Sequence, residues 1–276
     1  MYTYRGTTTL VTGASRGLGA AYAAELARRG SDLVLVARSG SALDEVAARL
    51  RTAHDVAVTT IAADLADRDQ VTDVVRTLDD SPSTIDLLLN NAGAGAVGPF
   101  LDRALEPNQV SVDLNISALM TLTHALGRTM ASRGSGGIIN IASSAAFQPM
   151  PYQASYAGTK AFVLSFTEAL AEELRGQGVR VMAAHPGATG TTFFDGATRA
   201  DGTPYTMDPR ITDSADTVAR RTLDDFARGR SASYPGRRLN QIASWLPRYL
   251  PRTTTARLTG KLNRTLGFDS IRVHAA

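Results

Sequence analysis

Seven short runs of apolar and β-branched residues, at 7–11, 33–37, 56–62, 85–89, 137–142, 179–184 and 231–234, punctuate this chain, with helix-length stretches between them. A strand that is apolar along its whole length is buried on both faces, and a crossover helix between successive strands lets them run parallel. The alternation predicts an α/β fold, a single-domain Rossmann-type doubly wound parallel sheet with helices on both faces. Helices are expected at 20–29, 41–53, 67–79, 107–132, 155–175 and 213–228. Ligands in such sheets bind at the carboxyl ends of the strands, where strand order reverses. The loops that follow the strands are therefore where chemistry is sought. At 276 residues, 43% of them hydrophobic, the chain can bury a core of this kind as one domain.

The first strand runs into Thr12-Gly13-Ala14-Ser15-Arg16-Gly17-Leu18-Gly19 and then a helix. Glycines here allow a tight turn and a close approach of backbone to a pyrophosphate, which the positive N-terminal end of the next helix attracts. Glycine spacing alone is also what an ordinary loop carries, so the strand before and the helix after are the context this reading needs. Farther along, Tyr156 and Lys160 stand one helical turn apart and follow Ser143 at a strand end. Residues four apart share a helix face, so the ammonium can stabilise the phenolate and lower the tyrosine pKa from its free value of about 10. A tyrosine tuned in this way exchanges a proton with an alcohol or carbonyl oxygen. Ser143 would hydrogen-bond the same oxygen. The competing reading is a surface Tyr–Lys pair without chemistry.

Taken in order, the loop at 12–19, Asp64-Leu65, Asn90-Asn91-Ala92-Gly93, Asn115 in a long helix, Ser143, Tyr156 with Lys160, and Pro186-Gly187 followed by Thr191 resemble the short-chain dehydrogenase/reductase family in its compact single-domain branch. The resemblance spans roughly 7–235. It implies an NAD(P)-dependent oxidoreductase acting on a CH–OH or C=O group, with Ser143, Tyr156, Lys160 and Asn115 catalytic. It further implies that Asn115 anchors a water linking the lysine to solvent, and that Lys160 also holds the nicotinamide ribose. Cofactor contacts are expected at Gly13, Ser15, Arg16, Gly17, Leu18, Gly19, Arg38, Asp64, Leu65, Asn91, Ala92, Gly93, Tyr156, Lys160, Pro186, Gly187, Thr189 and Thr191. Within that set Asp64 would hold the adenine edge, Thr189 and Thr191 the nicotinamide amide, while Asn91 is more suited to bracing neighbouring strands. His185 reads as a packed strand-end residue.

Charge at the end of the second strand bears on cofactor choice. An acidic residue there accepts ribose hydroxyls of NAD, whereas this chain has Arg38, with Arg16 in the glycine loop. Arg38 would meet a 2′-phosphate with Arg16 in reach of it, and the family resemblance implies that this pair favours NADP(H) over NAD(H); the alternative is two solvated surface charges. Two other function classes stay open, a nucleotide-binding sensor that performs no chemistry and a non-redox enzyme of the same fold such as an epimerase, dehydratase or cyclase.

With no cysteine and four scattered histidines, His54, His124, His185 and His274, the sequence offers no metal-ligand spacing, and no metal is expected. No charged-then-apolar leader opens the chain and no apolar run approaches the ~20 residues of a membrane helix. A soluble, cytoplasmic protein is expected, with a small-molecule carbonyl or alcohol substrate, no nucleic acid partner and a homo-oligomeric assembly. Phe147, Met150 and Tyr152, together with Phe193, Phe194, Tyr205 and Met207, are candidates for an apolar substrate pocket. Gly187, Gly190, Gly196 and Gly202 suggest that the segment holding the last four is a lid.

The domain is expected to occupy 1–235, leaving 236–276 as a basic extension packed on it. Between Phe226 and Phe268 lie nine arginines and lysines and no carboxylate, against a net +3 for the whole chain, so the remainder carries −6. Leu239, Ile242, Trp245, Leu246, Tyr249 and Leu250 recur at helical spacing, interrupted by Pro247 and Pro251, and Leu258, Leu262 and Leu266 form a second stripe. Several roles fit: apolar stripes laid on the domain with Trp245 a large contact, a cover for the substrate mouth, a lure for an anionic or carrier-bound substrate, a contact with a neighbouring subunit, or peripheral contact with an anionic membrane.

Overall fold

The computed structural model describes residues 1–102, 104–191, 197–198 and 202–273. Phe193, Phe194, Gly196 and His274 lie outside the described residues. Strand β1 (Thr8–Thr12) leads to α1 (Gly17–Arg28), β2 (Asp32–Ala37), α2 (Gly40–Ala53), β3 (Val58–Ala62), α3 (Arg68–Asp79) and β4 (Leu87–Asn90). Next come α4 (Glu106–Val112), a π-helical stretch (Asp113–Ala118), α5 (Leu119–Arg133), β5 (Gly136–Ile141), a 3-10 turn (Ser144–Phe147), α6 (Ala154–Glu173) and β6 (Val179–Ala184). After two-residue strands β7 (Thr189–Gly190), β8 (Ala197–Thr198) and β9 (Asp213–Ser214), the chain forms α7 (Ala215–Ala227) and β10 (Ala232–Ser233). It closes with α8 (Arg238–Trp245), a 3-10 turn (Leu246–Tyr249), α9 (Arg252–Thr265) and β11 (Arg272–Val273).

The main sheet has seven strands in the order β10-β6-β5-β4-β1-β2-β3, all parallel. This is the doubly wound sheet that the alternation predicts. Side chains along a strand alternate between faces, so Leu33 and Leu35 enter the core with α1, α2 and α7, whereas Val34 and Val36 enter the one with α3 and α5. Leu87 and Leu89 split from Leu88 in the same way. Strand order reverses between β1 and β4, which opens a crevice above their carboxyl ends.

Three expectations change. The first helix begins at Gly17 rather than at residue 20 because packing overrides glycine's poor propensity: a Cβ on Gly19 would stand 2.0 Å from the Gly13 carbonyl oxygen. The long helix expected at 107–132 is divided by the π-helical stretch around Asn115, an insertion often found at functional sites. In the extension, much of the stripes is not covered by the domain, although Leu266 packs against the Val97, Tyr205, Phe268 and Ile271 cluster and Trp245 meets Tyr234 edge-on at 6.3 Å. Ile242, Trp245, Leu246, Tyr249, Leu258 and Leu262 are exposed, and α9 instead buries Thr255, Thr259, Gly260 and Asn263. The physical reason is hydrogen bonding, since Thr259 Oγ1 donates to the Pro149 carbonyl at 2.8 Å and Asn263 Nδ2 to the Pro151 carbonyl at 2.8 Å. Gly260 lets the helix approach closely, because a Cβ there would meet the Pro151 ring at 3.1 Å. Beyond α9, Phe268 and Ile271 are buried with Val97 and Tyr205.

Candidate active site

The glycine loop leaves β1 with Gly13 at φ 68° and Gly17 at φ 55°, both in the left-handed region that side chains disfavour. Its turn is tied to the next strand by Gly13 N–H donating to the Val36 carbonyl at 2.7 Å. Arg16, at the N-cap of α1, makes no capping hydrogen bond with its side chain, and the first turn holds no acidic residue. The positive end of a 12-residue helix is thus left to face the crevice, which fits a pyrophosphate. Leu18 is partly buried against the core.

Across the crevice, Thr12 Oγ1 accepts from the amides of Asn91 and Ala92 at 3.0 and 2.9 Å, while Asn91 Nδ2 donates to the Thr12 carbonyl at 3.0 Å. Asn91 therefore braces β4 against β1. Arg38 and Asp64, at the ends of β2 and β3, form an ion pair at 4.0 Å, and Arg38 is 66% exposed. Asp64 also accepts from the Ala66 amide at 3.0 Å. Leu65 sends its side chain into the core, 5% exposed, so a contact with cofactor is left to its main chain.

Ser143, Tyr156 and Lys160 converge at the end of β5 and on α6. Ser143 follows β5, is buried, and accepts from the Ala145 amide at 3.1 Å as cap of the 3-10 turn. Its side chain lies near enough to Tyr156 to lower the pKa of the phenol. Lys160 is buried, with Nζ donating to the Ile141 carbonyl at 2.8 Å and lying 5.9 Å from the Tyr156 ring centroid. Gly93 sits beside it, where a Cβ would come within 3.4 Å of Lys160 Nζ and 3.0 Å of Asn115 Oδ1. The Asn115 carboxamide is committed to protein, accepting from Ala94 N–H at 2.9 Å and donating to the Ala94 carbonyl at 2.8 Å and Thr159 at 2.9 Å. It thereby joins the β4 loop to α6.

Burial pushes the Tyr156 phenol above its ordinary value, and the Ser143 side chain draws it partly back. The same burial pulls Lys160 down to about 8. This direction for the tyrosine is opposite to the expectation from helical spacing. Desolvation of the phenol is the largest cause of the shift and outweighs the opposing effect of Ser143.

From the β6 side, the Pro186 carbonyl accepts from Ser144 N–H at 3.0 Å, and Thr189 Oγ1 donates to the Gly187 carbonyl at 3.0 Å. The strands β1, β4, β5 and β6 thus bring the glycine loop, Asn91 to Gly93, Ser143 and Pro186-Gly187 to one end of the sheet.

A family model described as short chain dehydrogenase matches residues 7–202. The chain belongs to the short-chain dehydrogenase family. It is 40% identical over 187 residues to the 3-oxoacyl-(acyl-carrier-protein) reductase of Synechocystis sp., covering 67% of this chain and 75% of that protein. Among solved structures, the short-chain dehydrogenase from Sphingobium yanoikuyae in complex with NADPH superposes with a TM-score of 0.77 at 34% identity, covering 89% of this chain and 96% of that one. The bulky-bulky ketone specific alcohol dehydrogenase from Comamonas testosteroni gives a TM-score of 0.73 at 32% identity, covering 91% and 98%. As a short-chain dehydrogenase the protein is an oxidoreductase, of a family whose members bind NAD(P).

Several residues that support this dehydrogenase site, Asn90 apart, belong to no motif. Asn90 Nδ2 donates to Asn140 Oδ1 at 2.9 Å and to Thr123 Oγ1 at 3.0 Å, and Asn140 Nδ2 donates to Thr167 Oγ1 at 3.0 Å. All four are buried, forming a polar ladder from α5 through β4 and β5 to α6. Asn240 of α8 rests against Gly187, where a Cβ would stand 2.3 Å from its Nδ2, and donates to Asp213 at 2.7 Å. An amphipathic pattern cannot reveal an asparagine packed on a glycine distant in sequence. Of the pocket candidates, Phe147 packs edge-on against His185 at 4.9 Å and near Tyr234, and Met150 is half-buried. Tyr152, at φ 68°, packs towards Tyr205 and Phe268. Among the described residues no group of three His, Asp or Glu is arranged to hold a metal ion. No helix among them is long and apolar enough to cross a membrane.

Proposed function

We propose that this oxidoreductase uses NADPH to reduce a ketone carbonyl of a mostly hydrophobic small molecule or acyl substrate to an alcohol, or runs the reverse reaction. The observation that carries the reading is the convergence of buried Ser143 and buried Lys160 on Tyr156, with Lys160 Nζ 5.9 Å from the Tyr156 ring centroid, next to the glycine-loop crevice. When bound, the nicotinamide supplies hydride to the carbonyl carbon. The substrate oxygen sits between the two hydroxyls. Tyr156 gives its proton to the oxygen as negative charge develops, and Ser143 donates a hydrogen bond that strengthens in the transition state. A phenol held protonated by its surroundings is a competent donor in the reducing direction, and Lys160, near 8, can replace the proton at working pH. Gly13, Gly17 and Gly19 with the first turn of α1 would hold the pyrophosphate, and Thr189 and Thr191 the amide of the nicotinamide. The apolar choice is supported by Phe147, Met150 and Tyr152 between Ser143 and Tyr156, and by the ketone and 3-oxoacyl substrates named for the two similar proteins.

Turnover of NADPH with a panel of ketones, counting cofactor consumed per product, tests the proposal, and product without consumption would favour a non-redox reaction. Ser143→Ala is expected to lower kcat by on the order of 10²-fold, the effect of losing one oxyanion donor. Wild type is expected to favour NADPH over NADH in kcat/KM. Arg38→Ala should erode that preference by about 1.5–3 kcal/mol, the range for hydrogen bonds to a charged group, mainly through weaker NADPH use. Equal use of the two cofactors by wild type would show that Arg38 does not read a phosphate.

A further inference from the structure

The extension presents to solvent what an amphipathic helix ordinarily hides. Ile242, Trp245, Leu246 and Tyr249, with Gln241, line an open groove of about 360 Å³. Leu246 is 58% and Tyr249 79% exposed. One turn apart on α9, Leu258 and Leu262 also face outward, because the opposite face is hydrogen-bonded to Pro149 and Pro151. Beside those leucines stand Arg257 and Lys261, exposed and in no ion pair among the described residues, as is Arg252 at the start of the helix. Outward apolar side chains, an interfacial Trp and Tyr, and unpaired cations meet in one segment that contains no carboxylate.

We propose that this surface docks on an anionic lipid bilayer, with the aromatic and aliphatic side chains of α8 and the following turn entering the interface and the cations of α9 facing lipid phosphates. A helix with apolar and basic faces lies in the plane of a membrane for these reasons, and the rings of Trp and Tyr settle at the headgroup level. A second copy of the chain fits less well. An isologous contact sets the patch against itself and would oppose two sets of cations, with no acidic residue in α8, α9 or the turn between them. An acidic protein would neutralise the cations but supplies no counterpart for the apolar groove. The inference does not depend on which substrate is reduced.

Trp245 is the chain's one tryptophan, so its fluorescence reports on the patch directly. The full-length protein should float with vesicles of phosphatidylcholine containing about one third phosphatidylglycerol, and its emission should shift to the blue. Neither should occur with phosphatidylcholine alone, and added salt should weaken both. Leu246→Gln with Tyr249→Ser, and separately Arg257→Glu with Lys261→Glu, should each lower the vesicle partition by roughly tenfold or more. Reductase activity on a water-soluble ketone should survive in both variants, which shows that they are folded. Absence of flotation at low salt would overturn the proposal. So would equal binding to neutral vesicles, or binding indifferent to both pairs of substitutions. A doubling of mass with protein concentration that disappears in Leu246→Gln with Tyr249→Ser, without vesicle binding, would assign the face to a second copy instead. Binding of an acidic carrier protein in place of vesicles would assign it to that class.

Discussion

Tyr156→Phe is expected to lower kcat for ketone reduction by at least about 10²–10⁴-fold, the contribution of a positioned general acid, while NADPH affinity changes no more than a few-fold. The substitution removes one oxygen and leaves the ring in its place. Ser143 keeps the bond it accepts from the Ala145 amide, and the glycine loop, tied to β2 through Val36, does not involve the phenol. Single-turnover kinetics and a nucleotide titration separate the two effects. Should the variant retain kcat within tenfold of wild type, the proton must come from another group and the mechanism fails.

Lys160→Met should likewise abolish useful turnover, yet it is expected to make the nucleotide-free protein more stable at neutral pH. Burial lowers the lysine from 10.5 to about 8, so the folded state disfavours the ammonium relative to the unfolded chain. Below pH 8 both states carry the charge and the fold bears its full penalty. Between about 8 and 10.5 the folded protein releases the proton first, and wild-type stability rises with pH. A shift of this size corresponds to at most about 3.5 kcal/mol, part of it offset by the hydrogen bond to the Ile141 carbonyl. The advantage of methionine in denaturant titrations should therefore be largest near pH 7 and shrink through that window. A methionine variant less stable than wild type at pH 7 would show that the Ile141 bond outweighs the desolvation.

The strands were legible because a parallel sheet covered on both faces needs strands that are apolar throughout, and 179–184 coincides with β6 to the residue. Where a polar residue continues a strand the pattern stops early. The run expected at 85–89 ends before Asn90, which belongs to β4 because its amide is satisfied by Asn140 and Thr123. Ser143, Tyr156 and Lys160 could be named because helical spacing and strand ends fix their positions. The direction of the tyrosine shift could not, since it follows from the burial of the phenol in the folded chain, which spacing along a helix does not record. Periodicity found the helices of the extension and missed their orientation. A leucine stripe at 258, 262 and 266 indicates a face but not whether it is covered, and threonines that bond proline carbonyls decided which side of α9 docks. The left-handed backbone of Tyr152 was equally hidden, for no glycine marks it.

The ladder of Asn90, Asn140, Thr123 and Thr167 bears on the sheets this chain avoids as much as on the one it forms. Asn90 and Asn140 are direct partners in the pairing of β4 with β5. The leucines and isoleucines of these strands resemble one another closely enough that a slipped pairing would bury nearly as much hydrocarbon. Slipping one strand by a residue turns its side chains to the opposite face and leaves carboxamides among aliphatic groups, at about 1–3 kcal/mol for each unsatisfied group. Wrong collapsed states are thereby raised in energy. The same slip would carry the Ile141 carbonyl about 3.3 Å along the strand, away from Lys160, so the asparagine pair that disfavours misassembled sheets also sets the height at which Lys160 is held.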